Sequence, residues 1–289
     1  MVIPGIIFFL IFCYYPMLGL IMAFQDFQLG NAIIGSPWVG LKHFQELFSD
    51  IQFWNVLRNT VCISAFNLSF GFVAPIIFAL TLNEIKYLPY KKFIQTASYL
   101  PYFISWVVVA SIMTIWLGTD YQGIINIALV KMGIIKEPIL FLSYPENYYA
   151  IAVISSIWKG VGWGSIIYLA AISSIDQEIY EAATVDGAGR FRKIWNITLP
   201  SIKPTMAILL IISCGGLFRG NFDQSYLLMN NFNMSRSDIL ETYLLRYGIN
   251  LARFSMSTAA SFFQSGVNLI VVLLVNFIIR RLDSEQGLF

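Results

Sequence analysis

Apolar runs and mixed polar stretches take turns along the whole chain. A helix rising 1.5 Å per residue needs about 20 apolar residues to cross a bilayer. Six runs reach that length, at about 2–24, 56–82, 97–118, 148–172, 203–223 and 262–281. They are too long for membrane strands and lack the apolar–polar alternation of a barrel. The pattern predicts an all-α membrane protein of six transmembrane helices, one membrane domain over 1–289. The first run has no basic segment before it and no small-residue cleavage site after it, so a retained helix is expected, not a removed signal. Pro75 predicts a kink in the second helix. Gly160, Gly162 and Gly164 predict close helix packing in the fourth. Trp54, Tyr99, Tyr102, Tyr148 and Tyr149 stand near run ends, where the headgroup layer favours such rings.

The stretches 25–54, 119–147 and 224–261 are expected to be interfacial helices and loops, with an amphipathic piece at Ile239–Arg253. Lysine and arginine set the orientation. Lys86, Lys91, Lys92, Arg190, Arg192, Lys193, Lys203, Arg280 and Arg281 fall on one side, on short loops. The other side holds Lys42, Lys131, Lys136, Arg236, Arg246 and Arg253 on longer ones. The denser side is expected in the cytoplasm, with both termini and the loop between helices four and five.

Composition narrows the class. Hydrophobic residues make up 57% of the chain and charged residues 12%, about half the usual share of a soluble domain. Mean hydropathy is +0.70. A net charge of +2 without a basic stripe gives no reason to expect a nucleic-acid partner. Cys13, Cys62 and Cys214 lie in apolar runs without a CxxC pair, far from His43, the one histidine. They read as small buried hydrophobes, with no metal site.

The loop at 175–200 carries the strongest motif. Asp176 suits an N-cap, and Gln177 and Glu178 suit a first turn. Ile175, Ile179 and Ala182 recur at helical spacing, with Ala183 and Val185 alongside. Gly187 suits a helix stop because it tolerates positive φ. A second short helix is expected with Phe191, Ile194 and Trp195 on one face, and Pro200 is placed to open the next span. On these grounds alone the unit is either an ordinary interfacial loop or a surface another protein's backbone approaches across small side chains.

The residues also match a known pattern. Glu181, Ala182, Ala183, Gly187, Ile197, Leu199 and Pro200, with Asp186 and Ala188 beside the glycine, resemble the coupling motif of permease subunits in binding-protein-dependent bacterial ABC importers. The stretch Phe254–Gln264 resembles the carbohydrate branch, of the maltose-transporter type. The resemblance implies a type I importer permease in the cell (inner) membrane. It implies a second, related permease subunit, two ATP-binding subunits and an extracytoplasmic solute-binding protein as partners. The loop would dock on an ATPase, whose closure on ATP swings the spans between two arrangements; ATP must favour one of them for this to work. The chain has no Gly-x-x-x-x-Gly-Lys-Ser/Thr loop, so ATP and magnesium are expected on the partner subunits and no cofactor on this chain.

Charges at membrane depth usually face a cavity. Lys159 lies mid-run in helix four, flanked by Trp158 and Trp163, whose rings can stack on a sugar. Either Lys159 meets substrate or it pairs with a carboxylate of the neighbouring subunit. Arg219 and Asp223, one turn apart toward the outer end of helix five, either pair together, reach water or meet substrate. Gln264 and Asn268 share a face of helix six, and Asn67 lies in helix two, suiting interhelical hydrogen bonds; Gln264 is also a substrate-path candidate. A cation at this depth suits an acidic sugar such as a uronate oligomer. An ion-coupled carrier of a small polar solute is the alternative, though no internal repeat supports it. A membrane enzyme would need a catalytic cluster, and the runs offer none.

Overall fold

The computed structural model describes residues 2–30, 32–33, 35–118 and 123–282. Among the described residues there is no strand, only an isolated antiparallel bridge between Gln25 and Trp38. Five helices are long and apolar enough to cross a membrane: Ile3–Phe24, Ile51–Asn83, Pro145–Ser173, Arg190–Cys214 and Phe254–Arg281. They are the first, second, fourth, fifth and sixth spans below. A bent pair, Leu88–Phe103 and Trp106–Trp116, makes the third.

Several ends differ from the run lengths. The second span starts at Ile51, where Asp50 accepts a hydrogen bond from the Gln52 amide at 2.8 Å. The sixth starts at Phe254, so 254–261 is helix and not linker. The expected third helix, 97–118, is two helices meeting at 103°. Ser105 caps the second of them by accepting from the Val108 amide, a local bond that competes with a continuous helix. Residues 119–122, at the start of the stretch expected after that run, lie outside the described residues.

The fifth span also departs from expectation. It begins at Arg190, not near 203, and ends at Cys214, not near 223. Pro200 therefore lies within it. A π turn at Ile194–Thr198 ends two residues before this proline, and another at Asn67–Gly71 ends four residues before Pro75 in the second span. A proline removes one helical donor, and a widened turn beside it lets the helix run on.

Packing is tightest where glycine allows it. The fourth span crosses the second at Gly164, where an added Cβ would come 3.1 Å from the Pro75 ring. It meets the third span at Gly162, where an added Cβ would sit 2.1 Å from the Ser98 carbonyl oxygen. The first span rests on the sixth, with Phe24 edge-on to Phe262. Outer faces of these two spans expose Phe8, Phe12, Leu269 and Phe277, as hydrocarbon demands. Of the cysteines only Cys214 is buried; Cys62 is half-buried and Cys13 exposed, because residues 3–18 of the first span are exposed all round and only its end near Phe24 is covered.

Between the fifth and sixth spans the chain folds a small lobe. It contains Phe222–Leu228, Met234–Ser237, Leu240–Leu244 and a π turn Leu245–Asn250, so the expected single piece Ile239–Arg253 is divided. The lobe is pinned to the second span. Asn59 donates to the Asp238 and Ser235 carbonyls at 2.9 and 3.1 Å. The fully buried Asp238 carboxylate accepts from Gln52 (2.9 Å), Arg246 (2.6 Å) and Thr242 (2.7 Å). Gln224 donates to the Ala152 carbonyl and to Ser155 on the fourth span, both at 2.7 Å. Tyr148, expected at the headgroup layer, is buried beneath the lobe and donates to Ser225. Tyr149 donates to Asn59 at 2.7 Å.

Candidate functional site

At the other end of the fifth span stands the helix Gln177–Val185. Asp176 caps it, accepting from the Glu178 amide at 3.0 Å. Its end is a paired turn. Gly187 donates to the Thr184 carbonyl and Ala188 to the Ala183 carbonyl, at 3.0 and 2.8 Å. Gly187 has φ +75°, a conformation costly for any side chain with a Cβ. Glu181, Ala182, Asp186 and Gly187 are exposed on this knob; Ala183 and Ala188 are half-buried. Ile197, Leu199 and Pro200 form the root of the fifth span, where Leu199 packs against the buried cluster that includes Ile202 and Tyr168. Val185, Phe191 and Trp195 are exposed by 88, 80 and 68%.

Two side-chain bonds tie the knob to its root. Tyr180 Oη lies 2.8 Å from Thr198 Oγ1. Lys193 Nζ donates to Thr184 Oγ1 at 2.6 Å. Arg190 also sits 3.7 Å from Glu84 at the end of the second span, an exposed pair of little energetic weight.

The membrane residues fall into two groups. Within the chain Lys159 is held by backbone carbonyls. Its Nζ donates to the carbonyls of Pro101 (3.2 Å), Tyr102 (2.8 Å) and Ile104 at the break of the third span. A helix end leaves carbonyls short of amide partners, and the ammonium serves three of them here, Pro101 sharing its oxygen with the Ile104 amide. Trp163 stacks on Tyr102 at 4.7 Å, and Trp158 meets Trp116 edge-on. These three residues hold the broken span in place.

Arg219 and Asp223 instead line an open cavity of about 730 Å³ between the second, fourth and fifth spans. Neither is within the fifth helix, which ends before them. Among the described residues they form no ion pair with each other, and both are exposed. Ser64, Asn67, Ser156, Ser213 and Asn221 complete the polar lining. Sequence reasoning passed over most of these, yet a signal was present. Asn67, Gly71 and Pro75, and Ser156, Gly160 and Gly164, each recur every four residues and line the cavity. Small and polar groups at i, i+4 and i+8 leave room on one helix face.

Gln264 lies beside this cavity, not in it. It donates to the Phe218 carbonyl and, at 3.0 Å, to Glu241 Oε1. Asn268 accepts from the Phe218 amide at 3.1 Å. Glu241 Oε1 also accepts from the Gly220 amide at 2.9 Å. Burial raises the Glu241 pKa above its ordinary value, against the opposing pull of these hydrogen bonds and of Arg219. Together they brace the turn that carries Arg219. Among the described residues no three of His, Cys, Asp and Glu cluster as metal ligands do.

Residues 71–284 match the family described as binding-protein-dependent transport system inner membrane component. The chain is 43% identical to the polygalacturonan/rhamnogalacturonan transport system permease protein YteP of Bacillus subtilis (strain 168), over all of this chain and 89% of that one. It is likewise 43% identical to protein LplB of the same organism, covering 90% of it. A solved bacterial alginate ABC transporter, in complex with an alginate pentasaccharide-bound periplasmic protein, has a chain 41% identical to this one. The match covers 98% of this chain and 93% of that one, with a TM-score of 0.90.

Proposed function

The chain belongs to the family of binding-protein-dependent transport system inner membrane components, and from that premise we propose that it forms half of an import pathway for acidic oligosaccharides. As a member of this family it is a multi-pass permease of a sugar ABC importer, a transport subunit and not an enzyme. The relatives give no support to an ion-coupled carrier. The cavity beside Arg219 carries the substrate reading. Pectic polymers and alginate are built from or rich in uronate sugars, which present both hydroxyls and a carboxylate. Serine and asparagine side chains suit the hydroxyls, and Asp223 adds a strong acceptor. The Arg219 guanidinium suits the carboxylate, because its planar fork donates two parallel bonds.

The knob at 175–200 is the docking element for a separate ATP-binding subunit in this reading. Glu181, Ala182, Ala183, Asp186, Gly187 and Ala188 present it, and Ile197, Leu199 and Pro200 root it in the fifth span. ATP and magnesium belong to two such subunits. A second, related permease completes the pathway, and an extracytoplasmic solute-binding protein delivers the oligomer. The knob and both termini then face the cytoplasm, as the lysine and arginine distribution favours.

The test is Arg219→Gln in the reconstituted importer. The concentration of a uronate oligomer giving half-maximal uptake should rise about tenfold, since a hydrogen bond to a charged group is worth roughly 1.5 kcal/mol. An unchanged value would remove Arg219 from the pathway.

A further inference from the structure

The four residues that join the knob to the fifth span include Gly187 at positive φ and the exposed Gly189. Such a linker does not by itself fix an angle. The angle is set by the two bonds between Tyr180 and Thr198 and between Lys193 and Thr184. Their spacing is informative. Tyr180 and Thr184 are one α-helical turn apart and share a face; Thr184 Oγ1 donates to the Tyr180 carbonyl. Their partners Lys193 and Thr198 are five apart. On an α-helix that spacing turns side chains about 140° away from each other. Five is the hydrogen-bond repeat of a π turn, and Ile194–Thr198 is one. The widened turn is therefore what brings Lys193 and Thr198 to the same side.

Thr198 is the hub. It is 3% exposed. Its Oγ1 lies 3.4 Å from the Lys193 carbonyl, to which it donates, leaving its lone pairs for the Tyr180 hydroxyl. Tyr180 is thus tied to the backbone of the π turn through one buried hydroxyl.

We propose that Tyr180 and Thr198 are positioning residues that make the knob and the fifth span a single lever, with the π turn as its joint. The proposal rests on reading 175–200 as the ATPase-docking loop. A push on the exposed knob reaches the cavity only if the knob does not swing on its glycine linker. The straps remove that freedom, and the fifth span carries the motion to its far end, where Arg219 follows.

The experiment uses the whole importer in proteoliposomes, with alginate or polygalacturonate oligomers as substrate. Tyr180→Phe and Thr198→Val should each assemble and hydrolyse ATP, while substrate moved per ATP falls roughly fivefold, the effect of one lost hydrogen bond. The double variant should be no worse than either single, because both remove the same bond. Thr198→Ser, which keeps the hydroxyl, should restore the ratio. Unchanged transport per ATP in assembled Tyr180→Phe and Thr198→Val complexes would overturn the proposal. So would a Thr198→Ser complex as poor as Thr198→Val. Tyr180→Phe alone decides if Thr198→Val fails to assemble. Unsubstituted complexes that import no oligomer would overturn the docking reading, and the lever with it.

Discussion

At one end of the fifth span the chain buries carboxylate and amide groups; at the other it exposes aromatic rings. The lobe holds Asp238, Asn233 and Thr242 at 2% exposure or less, each hydrogen-bonded. The knob presents Val185 mostly bare, and the first turns of the fifth span present Phe191 and Trp195 the same way. Buried polar groups are stable only when their partners are in place, and for Asp238, Asn233 and Thr242 the chain itself supplies them. Bare apolar groups at the other end are what the proposed docking on an ATP-binding subunit would cover. On that reading the same span runs from an anchor bonded within the chain to a surface that meets a partner.

Asp238→Ala attacks the anchor and should have the largest effect on stability. It strands Arg246, Gln52 and Thr242 together, at a cost of roughly 3–5 kcal/mol. The purified subunit should melt well below the parent chain. A loss under about 1 kcal/mol would mean the lobe is no anchor. Gly187→Val attacks the knob. A β-branched residue at φ +75° costs about 1–2 kcal/mol locally, so melting should shift less than for Asp238→Ala. Uptake driven by ATP should nevertheless collapse and the ATP-binding subunits should co-purify poorly. Normal uptake would break the contrast between the two ends.

The smallest effect concerns Glu241. Its folded pKa is raised by burial, so the folded state holds the proton more tightly than the unfolded one. Its contribution is full below the ordinary carboxylate value of 4.5 and is lost as pH climbs through the raised value. Glu241→Gln should flatten that part of the melting-temperature curve between acid and neutral pH. An unchanged slope would show that Glu241 is not its source.

The helical membrane fold was legible because apolar run length is set by bilayer thickness. The Asp176 cap and the Gly187 stop were also readable, since both act within a few residues. Long-range bonds were not. Lys159 was singled out because a charge at that depth is costly, but the carbonyls that hold it within the chain, 55–58 positions away, could not be read from the sequence. They exist only because the third span breaks, and an apolar run hides a break. Pro101 and Ser105 were the local signs of it. The fifth span was misjudged at both ends for a related reason. Pro200 reads as a start, and only the π turn before it explains why the helix begins ten residues earlier. Arg219 and Asp223 were picked for charge alone; what marks the cavity is the four-residue recurrence of Ser156, Gly160 and Gly164 facing Asn67, Gly71 and Pro75.

Cysteine labelling at Val185 reads the central claim most directly. In a chain with Cys13→Ser, Cys62→Ser and Cys214→Ser, Val185→Cys offers one thiol on the exposed tip of the knob. A membrane-impermeant maleimide should leave it untouched in intact cells, label it in inside-out vesicles stripped of ATP-binding subunits, and label it poorly once those subunits are restored. Labelling from outside intact cells, or equal labelling with and without the ATP-binding subunits, would contradict the account.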